Sequence, residues 1–145
     1  MSGVEGVIRF ATENDLPAVL RVDELAPVAR PRIGFLTLRV QSGECHVFEC
    51  QGDVVGYVTL RRRTFIGRDF IDLVGVVPSV RRQGVASALL RHAVAIASTP
   101  QIFISTNQSN AAMIQLFEKE GWSFSGQLEG IDEGDPELIY YIRST

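Results

Sequence analysis

The segment from Val76 to Ala86 has the residue types and spacing of an anion-binding site. It begins as the end of a strand, continues through a loop that contains a proline, and enters a helix on an Arg-Arg-Gln-Gly run at residues 81–84. A helix N-terminus presents unpaired amides and the positive end of the helix dipole, and both attract an anion. The two arginines add positive charge for phosphate oxygens, and the glycine has no Cβ to keep a ligand away. The segment predicts a pyrophosphate site, and the alternative is a plain helix start with solvated arginines.

Strand and helix patterns alternate along the chain and must position this segment. The pattern mixes antiparallel hairpins with two β-α-β passages. It predicts an α+β (mixed α/β) fold in the order β-α-α-β-β-β-α-β-α-β-β, with helices on both faces of one central, mixed and largely antiparallel sheet of about seven strands. The predicted strands cover residues 4–10, 45–50, 54–60, 70–77, 102–104, 122–128 and 138–142, and the predicted helices cover 15–25, 32–41, 85–97 and 111–120.

Length and composition narrow the class of protein. The 145 residues predict one domain over residues 1–145, and 46% apolar with 21% charged residues is ordinary for a globular chain. A net charge of -3 argues against a nucleic-acid partner, which would favour a basic surface. No uncharged run is long enough to cross a membrane, so no membrane partner is expected.

The N-terminus and the cysteines predict a cytoplasmic protein, and the histidines predict that it has no metal site. The first eight residues contain Glu5 and no basic stretch before an apolar run, unlike a secretory signal. Two cysteines, Cys45 and Cys50, are too few for a disulfide framework, and free thiols suit a reducing compartment. His46 and His92 have no acidic or cysteine partner at ligand spacing, so we expect no metal site.

Two motifs make the sequence similar to a known family. The segment at residues 76–86, followed by a Leu-Leu pair at 89–90, closely resembles the acyl-CoA signature of the GNAT family of N-acetyltransferases. A second stretch runs from Ser109-Asn110 through Leu116-Phe117 to Gly121-Trp122, and it also resembles that family. The order of strands and helices agrees over nearly the whole chain, and residues 128–141 resemble an uncharacterised bacterial subgroup of the family.

The resemblance implies a GNAT-like fold and a set of cofactor contacts. Backbone groups of one strand would pair with the pantetheine arm of acetyl-CoA, as an added strand would. Amides at the helix start would hold the pyrophosphate, and an asparagine would bind the cofactor arm. Acetyl-CoA would be a co-substrate, and no metal is implied. The predicted cofactor-binding residues are Val74, Gly75, Val76, Arg81, Arg82, Gln83, Gly84, Val85, Ala86, Ser87 and Asn110.

Two catalytic roles known in the family do not transfer to this sequence. Many relatives have a tyrosine that protonates the leaving thiolate, but the matching position here is Phe117. Some relatives that acetylate protein N-termini have a glutamate in the preceding strand, where this chain has Ser105. Neither Phe117 nor Ser105 can act as an ordinary acid or base.

Asp72 and Tyr141 are the remaining local candidates for catalysis. Asp72 lies an even number of residues before Val74 and Val76, so strand alternation predicts that it shares their face. It could then hold the amine or pass its proton to water, unless it is a structural aspartate. Tyr140 and Tyr141 point to opposite faces of the last strand, so at most one can face the cleft.

An acidic segment at residues 129–137 is a candidate for the acceptor side. It contains five carboxylates and no basic residue, and it joins the last two strands. It could attract a cationic amine, with Asp132 and Glu133 as predicted substrate-binding residues, or it could be a solvated turn. The other variable region that borders acceptors in the family corresponds here to residues 27–43. The arginines at 61–63 predict a solvated turn or a contact with an acidic ligand group.

The first functional hypothesis is an acetyl-CoA-dependent N-acetyltransferase. It would transfer acetyl directly to a primary amine of a small molecule or a peptide. The alternative is a catalytically silent acyl-CoA-binding sensor or regulatory module, which the missing tyrosine and glutamate favour. A third hypothesis is an antibiotic-modifying enzyme with polycationic acceptors. The expected partners are acetyl-CoA and an amine, and a homodimer is left open.

Overall fold

Seven strands and four α-helices follow the predicted order. The computed structural model describes residues 3–24 and 32–144, so predicted helix position 25 and residues 27–31 of the predicted acceptor region lie outside the described residues. The helices are α1 (Leu16–Glu24), α2 (Ile33–Gln41), α3 (Val85–Ile96) and α4 (Ala111–Lys119). The strands are β1 (Val7–Phe10), β2 (Cys45–Cys50), β3 (Asp53–Phe65), β4 (Arg68–Val76), β5 (Gln101–Asn107), β6 (Ser123–Leu128) and β7 (Glu137–Arg143).

One sheet in the order β1-β2-β3-β4-β5-β7-β6 contains all seven described strands. Neighbouring strands are antiparallel except for β4 and β5, which are parallel. The prediction of a mixed, largely antiparallel sheet is therefore confirmed.

Helices cover both faces of this sheet, as the sequence predicts. On one face, α3 packs through Val85, Leu89 and Leu90, whose spacing puts them on one side of the helix, and α4 adds the fully buried Phe117. On the other face, α1 and α2 pack against the strands through Val19, Val22, Leu36 and Val40. The two apolar layers fix β4 and β5 at the centre of the molecule.

The central strands β4 and β5 pair over only three residues. Asp69 pairs with Ile102 and Ile71 with Ile104, and no pairing between the two strands follows. Beyond that point β4 continues to Val76 beside β3, while the rest of β5 stays paired with β7. Among the described strands none pairs with this side of β4 after Ile71, so the two strands border a gap that leaves backbone groups of β4 available.

The buried carboxylate of Asp69 fastens the paired end of this strand pair. It accepts hydrogen bonds from the Ser98 amide at 2.6 Å and from the Arg63 amide at 3.0 Å. The Asp69 amide in turn donates to the Thr99 hydroxyl at 3.0 Å. Burial opposes ionisation, but the bonds from Ser98 and Arg63 outweigh it and lower the pKa of Asp69. Asp69 therefore ties β4 to the loop that leads into β5.

We expect Asp69→Asn to lower the free energy of unfolding at pH 7 by about 2 kcal/mol, because an amide cannot accept all of these charge-assisted bonds. The folded-state pKa is lowered, so the carboxylate stabilises the fold above its unfolded pKa, and this contribution is lost as the pH falls. The difference between the two proteins should therefore shrink in acid.

Urea unfolding measures the loss, with the exposed Asp53→Asn as the matched control. Equal midpoints for both variants at pH 7 would contradict the role of Asp69.

Candidate functional site

The turn between β4 and α3 forms one end of the gap. A short 3₁₀ turn at Pro78–Val80 follows β4, and the chain then reaches α3 through residues with left-handed backbone conformations. Gly84 precedes the first helical residue with a φ of +86°, which favours glycine, and Arg82 has a φ of +65°. No described side chain caps α3, so the amides of its first turn have no side-chain acceptor. These amides and the two arginines lie together at the start of α3, where the sequence predicts an anion site.

Local hydrogen bonds hold this turn against its surroundings. Arg81 Nε donates to the Val76 carbonyl at 3.2 Å, and Gln83 Nε2 donates to the Ser79 carbonyl at 3.3 Å. The Val4 amide donates to the Gln83 carbonyl at 3.3 Å. The turn is thus attached both to the end of β4 and to the N-terminal segment.

The strand β4 brings its backbone to the gap at Val74, Gly75 and Val76. The Val74 and Val76 side chains pack into the apolar layer beneath α3. A Cβ on Gly75 would lie 2.7 Å from the Tyr57 ring, so only glycine fits here. Tyr57 is fixed in turn, because its hydroxyl donates to Asp23 at 2.6 Å inside the protein. The packing on both faces therefore holds this stretch of backbone in place.

Asn110 caps α4 next to the end of β5. Its Oδ1 accepts a hydrogen bond from the Met113 amide at 3.2 Å. The cap occupies the side-chain oxygen, and the amide NH₂ group is left as the donor that could meet a cofactor.

A bulge changes the position of Asp72. Successive residues of β3 pair with Leu73 and with Ile71, so Asp72 is the additional residue of β4. Ile71 and Val74 consequently pack on the same side, although they are an odd number of residues apart. The prediction that Asp72 shares the face of Val74 and Val76 is wrong, because the bulge interrupts strand alternation.

Asp72 forms a two-point ion pair with Arg61. Its carboxylate oxygens accept from Arg61 Nε at 2.7 Å and from Arg61 Nη2 at 2.8 Å. The guanidinium lies 5.6 Å from the Phe35 ring of α2, so the pair is on the α1–α2 side of the sheet. The hydrogen bonding of Arg61 to the Asp72 carboxylate is also the largest cause of the raised pKa of Arg61. Asp72 is therefore already neutralised by a cation.

The two tyrosines of β7 lie on opposite faces, and neither is placed beside the β4 backbone. Tyr141 pairs with Phe103, whose own partner on β4 is Phe70, so Tyr141 is level with the closed part of the strand pair. Its ring lies 5.8 Å from the Phe103 ring. Tyr140 is buried with its ring 5.1 Å from that of Phe117.

A cavity of about 450 Å³ opens on the α1–α2 side of the gap. This volume is within the range of small-molecule sites. Aromatic and apolar side chains form much of its wall, and charged groups from three parts of the chain meet in it. Its lining includes Arg61, Phe65, Phe70, Ser105, Asp132 and Glu137.

The acidic segment contributes unequally to this cavity. Glu137 is half-buried and accepts a hydrogen bond from the Ser105 hydroxyl at 2.7 Å. Asp132 is exposed and accepts from Asn107 Nδ2 at 2.9 Å. Glu133 is exposed and does not line the cavity, and Asp135 is occupied by the amide and hydroxyl of Ser109.

Glu137 is the site residue that the sequence analysis did not single out. Alternation along β7 does put residues 137, 139 and 141 on one face, but nothing in the sequence shows that β7 lies beside β5. Only the pairing of the two strands brings the carboxylate of Glu137 to Ser105.

Among the described residues that line the cavity, the charges without an ion-pair partner are negative. Its two arginines are both paired, Arg61 with Asp72 and Arg32 with Asp23 at 3.1 Å. Within residues 3–24 and 32–144, no arginine or lysine nitrogen lies within 4 Å of Asp132 or Glu137. The cavity can therefore attract a cation.

The described residues contain no group of three or more side chains arranged to hold a metal ion. His46 and His92 do meet, with Nδ1 of the first 3.1 Å from Nε2 of the second. Burial lowers the pKa of His46 to about 4 and also lowers the pKa of His92, so it disfavours the charged form of both rings. None of the described helices has the length and hydropathy needed to span a membrane.

A double-mutant cycle tests the ion pair at the site. We expect Arg61→Gln and Asp72→Asn to be coupled by about 1–2 kcal/mol in unfolding free energy, because each single change leaves a partly buried charge without its partner. Urea unfolding of the four proteins measures the coupling. Arg62→Gln with Asp72→Asn is the control pair and should be additive. A coupling near zero for the first pair would mean that Asp72 is free in solution.

Sequence comparison links this geometry to a known family. The sequence model described as the acetyltransferase (GNAT) family matches residues 11–122. The chain is also 29% identical over 94 residues to the peptidyl-lysine N-acetyltransferase YjaB of Salmonella typhimurium. That alignment covers 62% of this chain and 59% of the relative, so the chain matches less than two thirds of the relative's length.

Solved structures share the fold. A GNAT-family acetyltransferase from Bacillus cereus superposes with a TM-score of 0.91 at 30% identity, over 97% of this chain and 99% of that one. Ard1 from Thermoplasma volcanium gives a TM-score of 0.82 at 21% identity, over 98% and 99% of the two chains. The structure of yncA from Salmonella typhimurium with its cofactor acetyl-CoA gives 0.78 at 21% identity, over 97% and 95%. The resemblance proposed from the two motifs is confirmed.

Proposed function

Because the chain belongs to the GNAT family of N-acetyltransferases, we propose that it transfers acetyl from acetyl-CoA directly to a primary amine of a small molecule or a peptide. The observation that carries this proposal is the gap between β4 and β5, with the α3 N-terminus at one end. A linear thioester with a pyrophosphate needs an extended groove that ends in an anion site, and the gap with the uncapped start of α3 supports this proposal.

The cofactor arm binds as an added strand along β4 in this proposal. Backbone groups of Val74, Gly75 and Val76 have no strand partner on the gap side among the described residues. The groups that face the gap are available to the pantetheine amides, except that the Val76 carbonyl already accepts from Arg81 Nε. The pyrophosphate meets the first-turn amides of α3 together with the two arginines before it. The proposed contacts are Val74, Gly75, Val76, Arg81, Arg82, Gln83, Gly84, Val85, Ala86, Ser87 and, through its NH₂ group, Asn110.

The chain's contribution to the reaction is mainly positioning and polarisation. An amide near Val76 donates to the thioester carbonyl oxygen and stabilises the negative charge that develops on attack. A thiol has a pKa of about 8.5, so its thiolate leaves without a strong acid near neutral pH. Holding amine and thioester together supplies much of the rate. The buried Phe117 is therefore compatible with turnover.

The acceptor binds in the cavity beside Glu137 in this proposal. The unpaired negative charges of that cavity favour an ammonium group, and Asp132 with the exposed Glu133 adds to the field at its entrance. The named activity of the Salmonella relative, on peptidyl lysine, makes a lysine side chain one candidate acceptor.

The domain extent, the compartment and the oligomeric state are also parts of the proposal. We propose that residues 1–145 form one catalytic domain that works in the cytoplasm, as a monomer or a homodimer. The two cysteines are both free thiols, which supports a reducing compartment.

The anion site predicts a specific loss of cofactor binding. We expect Arg82→Glu with Gly84→Asp to weaken acetyl-CoA binding by about 100-fold or more, because two carboxylates then face the pyrophosphate. Calorimetry measures the affinity. The matched control is Arg21→Glu with Gly34→Asp, at exposed positions of α1 and α2, and it should bind as the wild type does. Unchanged affinity in the first variant would contradict the proposed site.

Turnover separates an enzyme from a silent module. We expect thiol release from acetyl-CoA to depend on added amine in a panel of 2-phenylethylamine, a lysine peptide, a peptide with a free N-terminus and an aminoglycoside. A thiol-reactive dye follows the release. Tight acetyl-CoA binding without amine-dependent release on any member would identify the alternative, a sensor or regulatory module.

A further inference from the structure

Attack on a thioester requires an amine that has lost a proton. A primary amine is mostly an ammonium ion at neutral pH and has no free electron pair in that form. A group in the acceptor cavity must therefore bind the ammonium and accept its proton. A carboxylate can do both, provided that no arginine or lysine of the protein is already paired with it.

The contacts in the cavity leave one half-buried carboxylate for this task. Asp72 is paired with Arg61 through both oxygens. Asp132 is exposed, and its Oδ2 accepts from an asparagine amide. The side chain of Glu137 is half-buried and accepts only from the Ser105 hydroxyl among the described residues. A hydroxyl donor leaves the negative charge of a carboxylate in place.

Strand register puts Glu137 across the gap from the proposed thioester position. Asn107 lies three residues beyond the last paired residue of β5. Gly75 lies three register positions beyond Ile71 on β4, because the bulge at Asp72 adds one residue to that strand. Glu137 is the β7 partner of Asn107. The carboxylate is thus level with the backbone stretch that would hold the end of the cofactor arm.

We propose that Glu137 binds the acceptor ammonium and takes its proton, and that Ser105 is a positioning residue that orients the carboxylate. This assignment rests on the proposed acetyl transfer. The carboxylate that some relatives have at the Ser105 position is supplied here from the neighbouring strand. Ser105 reaches Glu137 diagonally across the β5–β7 pair, whose direct partners are Ser105 with Ile139 and Asn107 with Glu137.

Acetyl transfer moves two protons from nitrogen, forms one carbon–nitrogen bond and breaks one carbon–sulfur bond. One ammonium proton passes to Glu137 and from there to water. The amine nitrogen then bonds to the acetyl carbon, and the carbon–sulfur bond breaks with its electron pair on sulfur. The second proton lost by nitrogen neutralises the thiolate. The products are the acetylated amine and free CoA, and no oxidant or metal takes part.

The walls of the cavity narrow the class of acceptor. Phe65 and Phe70 stack with their ring centroids 5.0 Å apart, and Leu128, Ile131 and Ile139 complete an apolar lining. Such a wall suits the methylenes or the ring that carries an amine. The acceptor is therefore a primary amine on an apolar stem, as in a lysine side chain or an arylalkylamine.

Moving the carboxylate across the strand pair tests this assignment. We expect Glu137→Gln to lower kcat/KM for the lysine peptide and 2-phenylethylamine by about 100-fold or more, with the acetyl-CoA affinity unchanged. The exchange variant Ser105→Glu/Glu137→Ser restores a carboxylate within reach, and its activity should exceed that of Glu137→Ser by about tenfold or more. Glu13→Gln, at an exposed position outside the cavity, is the control, and its rates should stay within about twofold of the wild type.

The contrary results distinguish a wrong assignment of Glu137 from a wrong proposal of acetyl transfer. Wild-type rates in Glu137→Gln would overturn the assignment of Glu137 and leave acetyl transfer standing. A loss that the exchange variant does not repair, or that comes with weaker acetyl-CoA binding, would make Glu137 a structural residue and would also overturn the assignment. No release by the wild type with any amine would contradict the proposed function and the assignment with it.

Discussion

The early end of the pairing between β4 and β5 is the constraint on which the site depends. Three residue pairs hold the strands together, and the buried Asp69 fastens that end to the loop before β5. Beyond Ile71 the backbone of β4 has no strand partner among the described residues on one side. Unpaired backbone groups inside a protein are costly unless a ligand or water satisfies them. Where the two parallel strands diverge, they thus leave a groove with backbone groups that a ligand can satisfy.

The rest of the molecule supports this groove from both faces. Apolar packing beneath α3 fixes the outer part of β4, and the Tyr57 ring over Gly75 holds the strand from the other side. The turn at Gly84 then points the first turn of α3 at one end of the groove, while the loop between β6 and β7 closes part of the other. The proposed anion site and the proposed ammonium site are separated along one cleft, which suits a reaction between an anionic cofactor and an ammonium group.

The sequence predicts the parts of this arrangement that local patterns determine. Apolar periodicity locates the helices, and the run at residues 81–84 locates the start of α3, where the anion site is proposed, because both depend on neighbours in the chain. The bulge at Asp72 could not be predicted, since it depends on how β4 fits β3 and the helices above it. Glu137 was missed for a related reason: its importance arises from a cross-strand neighbour 32 positions away, Ser105.

Amide hydrogen exchange with and without acetyl-CoA tests the central claim most directly. If the cofactor pairs with β4 as an added strand, amides between Asp72 and Val76 and in the first turn of α3 will exchange more slowly when acetyl-CoA is bound. Amides of β1 and β2, which lie on the far side of β3, will be unaffected. Unchanged exchange along β4 in the presence of saturating acetyl-CoA would contradict the account.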